Sequence, residues 1–70
     1  MAYAYLVTGS EDGPLGLYSS KTRALDAAIA YVEHNGETAK VETFNSGYTS
    51  VDRIDGSPYA TASVERFYLN

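Results

Sequence analysis

The strongest helical pattern in this sequence covers residues 20–34 and lies between segments that alternate like strands. Its apolar residues recur at the i, i+3, i+4, i+7 spacing of a helix stripe that faces a core: Leu25, Ala28, Ile29 and Val32. Ser20 is suited to cap the start of this helix, and Asn35-Gly36 to end it. The pattern therefore predicts one amphipathic helix.

Strand patterns flank this helix on both sides, with turn residues rich in Gly, Asp and Asn between them. The predicted strands are Tyr3 to Thr8, Leu15 to Tyr18, Ala39 to Phe44, Tyr48 to Ile54 and Tyr59 to Leu69. The order β-β-α-β-β-β predicts an α+β fold for residues 1–70 as a single domain, with one antiparallel sheet and one helix packed on one face. Whether the last strand pairs with the first or lies at an edge is left open.

Size and composition restrict how such a domain can be stabilised. The chain has 70 residues and no Cys, which excludes disulfides and thiolate zinc sites. It must fold on apolar packing, on oligomerisation, or on both. The short apolar run at the N-terminus predicts a first strand, and neither a signal peptide nor a membrane span.

The charge balance bears on partners. Nine acidic and five basic residues give a net charge of −4, and the basic residues are scattered. Since nucleic-acid binding relies on Lys and Arg at the phosphates, no direct nucleic-acid binding is expected.

The stretch GPLGLYSSKTRALDAA, residues 13–28, has the strand, Lys-Thr and helix of a P-loop, but lacks its glycines. Leu15 and Ser20 stand where the two glycines belong, so phosphate cradling of that kind is excluded. Basic residues in the first turn of the helix are nevertheless unusual. They leave open a small anion site formed by Ser19, Ser20, Lys21 and Arg23.

Catalysis is not expected. His34 is the only histidine, it falls in the last predicted turn of the helix, and no nucleophile is marked out as its partner. We predict a non-enzymatic protein that needs no cofactor and no metal.

The seven tyrosines indicate more about possible binding surfaces than the candidate catalytic residues do. One helix covers only part of a five-stranded sheet. If Ala4 and Leu6 meet the helix, Tyr3 and Tyr5 point away from it and could form a self-association face, giving a homodimer. The alternative is that the tyrosines belong to the core.

Residues 5–33, YLVTGSEDGPLGLYSSKTRALDAAIAYVE, resemble small ββα-type domains of unknown function that are common in bacteriophage genomes. The residues that carry the resemblance are Gly16, Tyr18, Ser19, Ser20, Lys21, Ala24 and Ala28. The extra hairpin around residues 45–58 departs from that pattern. The resemblance implies a phage accessory protein located in the cytoplasm of an infected bacterial host, and implies no chemistry.

Acidity, size and this resemblance lead to one main hypothesis: a protein-binding inhibitor of a host defence complex, similar to an anti-CRISPR protein, that occludes a nucleic-acid-binding surface. Its partner-binding residues are predicted to be Glu11, Asp12, Tyr48, Asp52, Asp55 and Tyr59. Two alternatives remain: an oligomeric sponge that binds a small anion or nucleotide at the helix start, and a structural phage protein.

Overall fold

The computed structural model describes residues 2–34, 36–45 and 47–69, so the predicted turn residues Asn35 and Ser46 lie outside the described residues. Within these ranges the elements follow the predicted order β-β-α-β-β-β. Their bounds are β1 (Ala2–Gly9), β2 (Gly13–Tyr18), α1 (Lys21–Glu33), β3 (Ala39–Asn45), β4 (Tyr48–Arg53) and β5 (Ala62–Leu69).

The described strands form a single antiparallel sheet in the order β2-β1-β5-β4-β3, with α1 on one face. The last strand pairs with the first along its whole length, from Ala2 opposite Leu69 to Gly9 opposite Ala62. This answers the question of strand order that the sequence left open. The predicted α+β fold is confirmed.

Both predicted ends of the helix are confirmed by their geometry. Ser20 has an extended backbone (φ −118°, ψ 129°), and its Oγ accepts a hydrogen bond from the Arg23 N–H at 3.4 Å. Gly36 adopts the left-handed conformation, with φ +83°, and its N–H donates to the Glu33 carbonyl at 2.9 Å. Glycine is favoured there because a side chain is strained at this φ.

Small side chains hold the helix against the sheet. The fully buried helix residues are Ala24, Ala28 and Val32, whereas Leu25 and Ile29 are only half-buried. The buried stripe of α1 therefore runs through Ala24 and Ala28, one position before the larger Leu25 and Ile29 of the predicted stripe. The sheet contributes Val7, Val51, Ala62 and Val64 to the same cluster.

The supposition that Ala4 and Leu6 meet the helix is wrong, and so is its consequence that Tyr5 points away from the helix into a self-association face. Tyr5 packs against the core cluster beside Val7, and the Tyr31 ring of α1 occupies the space above Gly9, where an added Cβ would lie 2.6 Å from it. Tyr5, Val7 and Gly9 alternate onto one face of β1, so this face meets the helix. The alanine-rich helix surface leaves room at its margin for a tyrosine ring.

The last strand begins at Ala62, not at the predicted Tyr59. Tyr59 lies in an irregular loop, residues 54–61, in which Ala60 has a positive φ of 57°. Backbone in that conformation cannot continue a strand.

We expect Ala28→Leu to reduce the free energy of unfolding by about 1–3 kcal/mol, because Ala28 is fully buried under the sheet and the added atoms have no space. Ala30→Leu is the matched control, since Ala30 is an exposed position of the same helix. Urea denaturation of both variants measures the difference. Equal midpoints would show that α1 does not pack through the Ala24–Ala28–Val32 stripe.

Candidate functional site

One end of the domain is built from three segments that are distant in sequence. The turn of residues 10–12 joins the loop of residues 54–61, because the Ser10 N–H donates to the Thr61 carbonyl at 2.8 Å and the Thr61 N–H donates to Ser10 Oγ at 3.1 Å. The C-terminal turn of α1 joins them, since the Tyr31 hydroxyl donates to Asp12 Oδ2 at 2.9 Å.

This end, called the acidic end below, concentrates the charge of the protein. Its acidic residues lie in these segments or next to them: Glu11, Asp12, Glu33, Glu37, Asp52 and Asp55. Only two basic residues accompany them, Lys40 and Arg53. The rest of the chain carries three acidic and three basic residues, so the acidic end accounts for the whole net charge of −4.

An open groove of ≈ 470 Å³ lies at the acidic end, between α1 and the β1–β2 turn. Its lining combines apolar and acidic side chains: Glu11, Asp12, Leu15, Tyr18, Ala27, Ala30, Tyr31, His34 and Ala60. A Lys or Arg side chain fits this lining, because its aliphatic stem can pack against the apolar residues while its charged head binds the carboxylates.

Arg53 fixes the other part of the acidic end. Its guanidinium donates to both carboxylate oxygens of Asp55, at 3.2 and 2.6 Å, and lies 3.1 Å from Glu37. Its Nη1 also donates to the Tyr59 carbonyl at 3.3 Å. The side chain is 17% exposed, so these bonds hold the 54–61 loop against the segment after α1.

Three pKa values are shifted at this end, and the hydrogen bonds to Asp55 raise that of the Arg53 guanidinium. Desolvation, and then the hydrogen bond to Asp12, raises the pKa of the Tyr31 hydroxyl. The Arg53 guanidinium, and then the Ser57 N–H at 3.0 Å, lower the pKa of the Asp55 carboxyl. Both carboxylate oxygens of Asp55 thus already accept hydrogen bonds that fix the loop, and this limits their capacity to bind a partner.

The other predicted contact residues are placed as follows. Tyr59 is 65% exposed in the loop beside Asp55. Tyr48 and Asp52 line a second groove, on the sheet face opposite α1, which also includes Ser10 and Thr61. Asp52 accepts a hydrogen bond from Ser50 Oγ at 2.7 Å. Five of the six residues thus lie at the acidic end, but Asp52 faces the second groove. Tyr48 lines the same groove farther along β4, where its ring lies 5.8 Å from that of Phe44.

The predicted anion-site residues, Ser19, Ser20, Lys21 and Arg23, gather at the start of α1. The helix separates them from the acidic end by about 18 Å. Ser20 is already engaged as the helix cap. Tyr3, predicted for self-association, packs edge-on against Tyr68 at 5.5 Å, and the Arg66 guanidinium carbon lies 4.3 Å from the Tyr3 ring centroid.

Sequence reasoning missed two residues that organise this end, Arg53 and Tyr31. The spacing Arg53-x-Asp55 before a Gly-Ser-Pro turn was a usable signal, because an Asp that starts a turn binds backbone N–H groups and a nearby Arg can bind its oxygens. The Tyr31 contact joins residues 19 positions apart and has no local signal.

Comparison with known proteins returned no family model, no curated protein and no solved structure that matches this chain. In the part of the chain that the structure describes, no group of three His, Asp or Glu side chains is arranged to hold a metal ion. In that same part, no helix has both the length and the apolarity to cross a membrane.

We expect the difference in stability between the wild type and Asp55→Asn to shrink as the pH falls below about 4. Because the folded-state pKa of Asp55 is lowered, its contribution is complete above the unfolded-state pKa and is lost as the pH falls through the folded-state value. Urea midpoints at neutral pH and at several acidic values measure this.

Arg53→Leu provides the control for this prediction. If the two side chains are coupled, the double variant loses less stability at neutral pH than the sum of the losses in the two single variants. A difference between wild type and Asp55→Asn that stays constant with pH would contradict the assignment.

Proposed function

We propose that this chain is a non-enzymatic protein-binding module that presents its acidic end to a basic surface of a partner protein. The observation that carries the proposal is the concentration of the entire net charge of −4 at one end of the fold. Such an end attracts a basic surface over a distance and orients the encounter.

The residues that line the groove support direct contact with a partner, in addition to the long-range attraction of a basic surface. Glu11 and Asp12 stand at its rim, and Leu15, Ala27 and Ala30 form apolar lining. Nearby, Tyr59 is largely exposed, and tyrosine is among the residues that most often contribute strongly to protein interfaces. A Lys or Arg of the partner would place its stem against the alanines and its charge between the two carboxylates.

The partner class follows from this charge and from the resemblance to phage ββα-type domains. Basic surfaces of the required kind line the nucleic-acid channels of nucleases. We therefore propose that the partner is a host defence complex, such as a CRISPR effector, and that the acidic end occupies its nucleic-acid-binding surface in the manner of an anti-CRISPR protein. Its place of action would then be the cytoplasm of the infected bacterium.

The double variant Glu11→Lys/Asp12→Lys tests the surface. We expect it to lose retention of the partner when the immobilised chain is exposed to a bacterial lysate, because two attractive charges at the groove become repulsive. The matched control is Asp26→Lys/Glu65→Lys, which changes the net charge equally at exposed positions away from the acidic end.

The proposal predicts that the wild type and the control retain the same basic protein, and that added salt releases it. Retention of that protein by both double variants would show that the groove is not the contact. The proposed target class has a separate test: expression of the wild-type chain in a bacterium with active CRISPR immunity should restore plaque formation by a targeted phage, and the groove variant should not.

A further inference from the structure

The outer edge of β3 differs from the edge at the other side of the sheet. In β2 the ladder is interrupted by Pro14, which has no N–H to donate, and by a register shift opposite Val7 and Thr8. In β3 the pairing with β4 is regular from Ala39 to Thr43, and the shift comes only at the hairpin end. Of the two edges, β3 is therefore the one that could accept another strand.

The side chains of β3 are poorly covered. Val41 is 43% exposed and does not belong to the core cluster, although it faces the helix side opposite Val51. Phe44 is 60% exposed. Lys40 and Glu42 alternate onto the other face of the sheet, opposite Asp52 and Ser50. The edge thus offers one apolar position between two opposite charges.

We propose that β3 pairs antiparallel with β3 of a second copy of this chain, about a two-fold axis at Val41. In an isologous antiparallel pair centred on Val41, Lys40 of each copy stands opposite Glu42 of the other. The pairing therefore creates two opposite-charge cross-strand pairs, and Val41 meets its own counterpart. The sequence of this edge is complementary to itself in this register.

The same alignment also brings apolar side chains of the two copies to the junction. On one face, Val51 and Val41 of each copy form a continuous apolar row across the junction. On the other face, Phe44 comes opposite Thr38 of the second copy. The Ile54 N–H donates a hydrogen bond to the Thr38 carbonyl at 3.0 Å, and the Ile54 side chain is 69% exposed. Thr38, just before β3, thus lies between two exposed apolar side chains, Phe44 of one copy and Ile54 of the other, at both ends of the junction.

A lysine in an edge strand ordinarily discourages pairing with other chains. Here the register that places Lys40 opposite Glu42 removes that penalty, while any register shifted by two residues loses both charge pairs. Lys40 and Glu42 therefore select one partner strand, the copy, and one alignment. The acidic end remains accessible in the dimer at Glu11, Asp12 and Tyr59, since these residues do not lie on β3.

The test uses Lys40→Glu and Glu42→Lys as two separate proteins, studied by sedimentation equilibrium from micromolar to millimolar concentration. The wild type should reach twice its 7.6 kDa mass. Each single variant should dimerise at least about tenfold more weakly, because it places like charges opposite each other twice. An equimolar mixture should form a one-to-one heterodimer, because every cross-strand pair then joins opposite charges.

Three results would overturn the proposal: a monomeric wild type, single variants that dimerise as well as the wild type, or a mixture that stays monomeric. Glu65→Lys is the control for pairing through the broad sheet face, where Glu65 lies opposite Leu6 and Tyr48, and should leave the dimer unchanged. If Lys40→Glu loses its fold beside Asp52, as seen by circular dichroism, Val41→Lys takes its place and must abolish the dimer, since it puts two lysines at the axis.

Discussion

The close packing of one small-residue helix stripe on a five-stranded sheet is the constraint on which the rest of the structure depends. Ala24, Ala28 and Val32 are fully buried and bring α1 close enough that the Tyr31 ring fills the space above Gly9. A helix this close covers the middle of one face of the sheet and leaves most of β3 exposed. The surfaces available for function are therefore consequences of where the single helix lies.

The loop of residues 54–61 has no apolar core of its own, so polar bonds must fix it. The Arg53 guanidinium supplies three of them, two to Asp55 and one to the Tyr59 carbonyl, and it also pairs with Glu37 outside the loop. At an exposed site, isolated ion pairs contribute little, but a planar fork that binds two oxygens of one carboxylate also fixes geometry. Ala60, with its positive φ, belongs to this loop and lines the groove at the acidic end.

The sequence predicted the order of the elements and the fold class because each element has a local signal, but it left the order of the strands in the sheet open. The 20–34 periodicity, the Ser20 cap and the Gly36 end predicted α1 to within a residue at each end. The face of β1 that meets the helix had no such signal, because both faces carry apolar residues and the choice depends on the size of the helix side chains. The candidate contact residues were predicted as carboxylates in or near turns with nearby tyrosines. Their arrangement in space had no local signal, because it depends on the bonds between Ser10 and Thr61 and between Tyr31 and Asp12, which join distant parts of the chain.

The unusual charges of α1 are consistent with this assembly. Lys21 and Arg23 lie at the end of the helix where the macrodipole is positive, and Glu33 lies at the end where it is negative, so each is unfavourable for the helix alone. Together with the turn carboxylates, however, these charges increase the dipole moment of the whole molecule, because each has the same sign as the helix end at which it lies. The charge distribution therefore costs local helix stability and produces a molecule that is negative at one end. Such a distribution orients the molecule in the electric field of a charged surface, and the proposed docking on a basic surface would use this orientation.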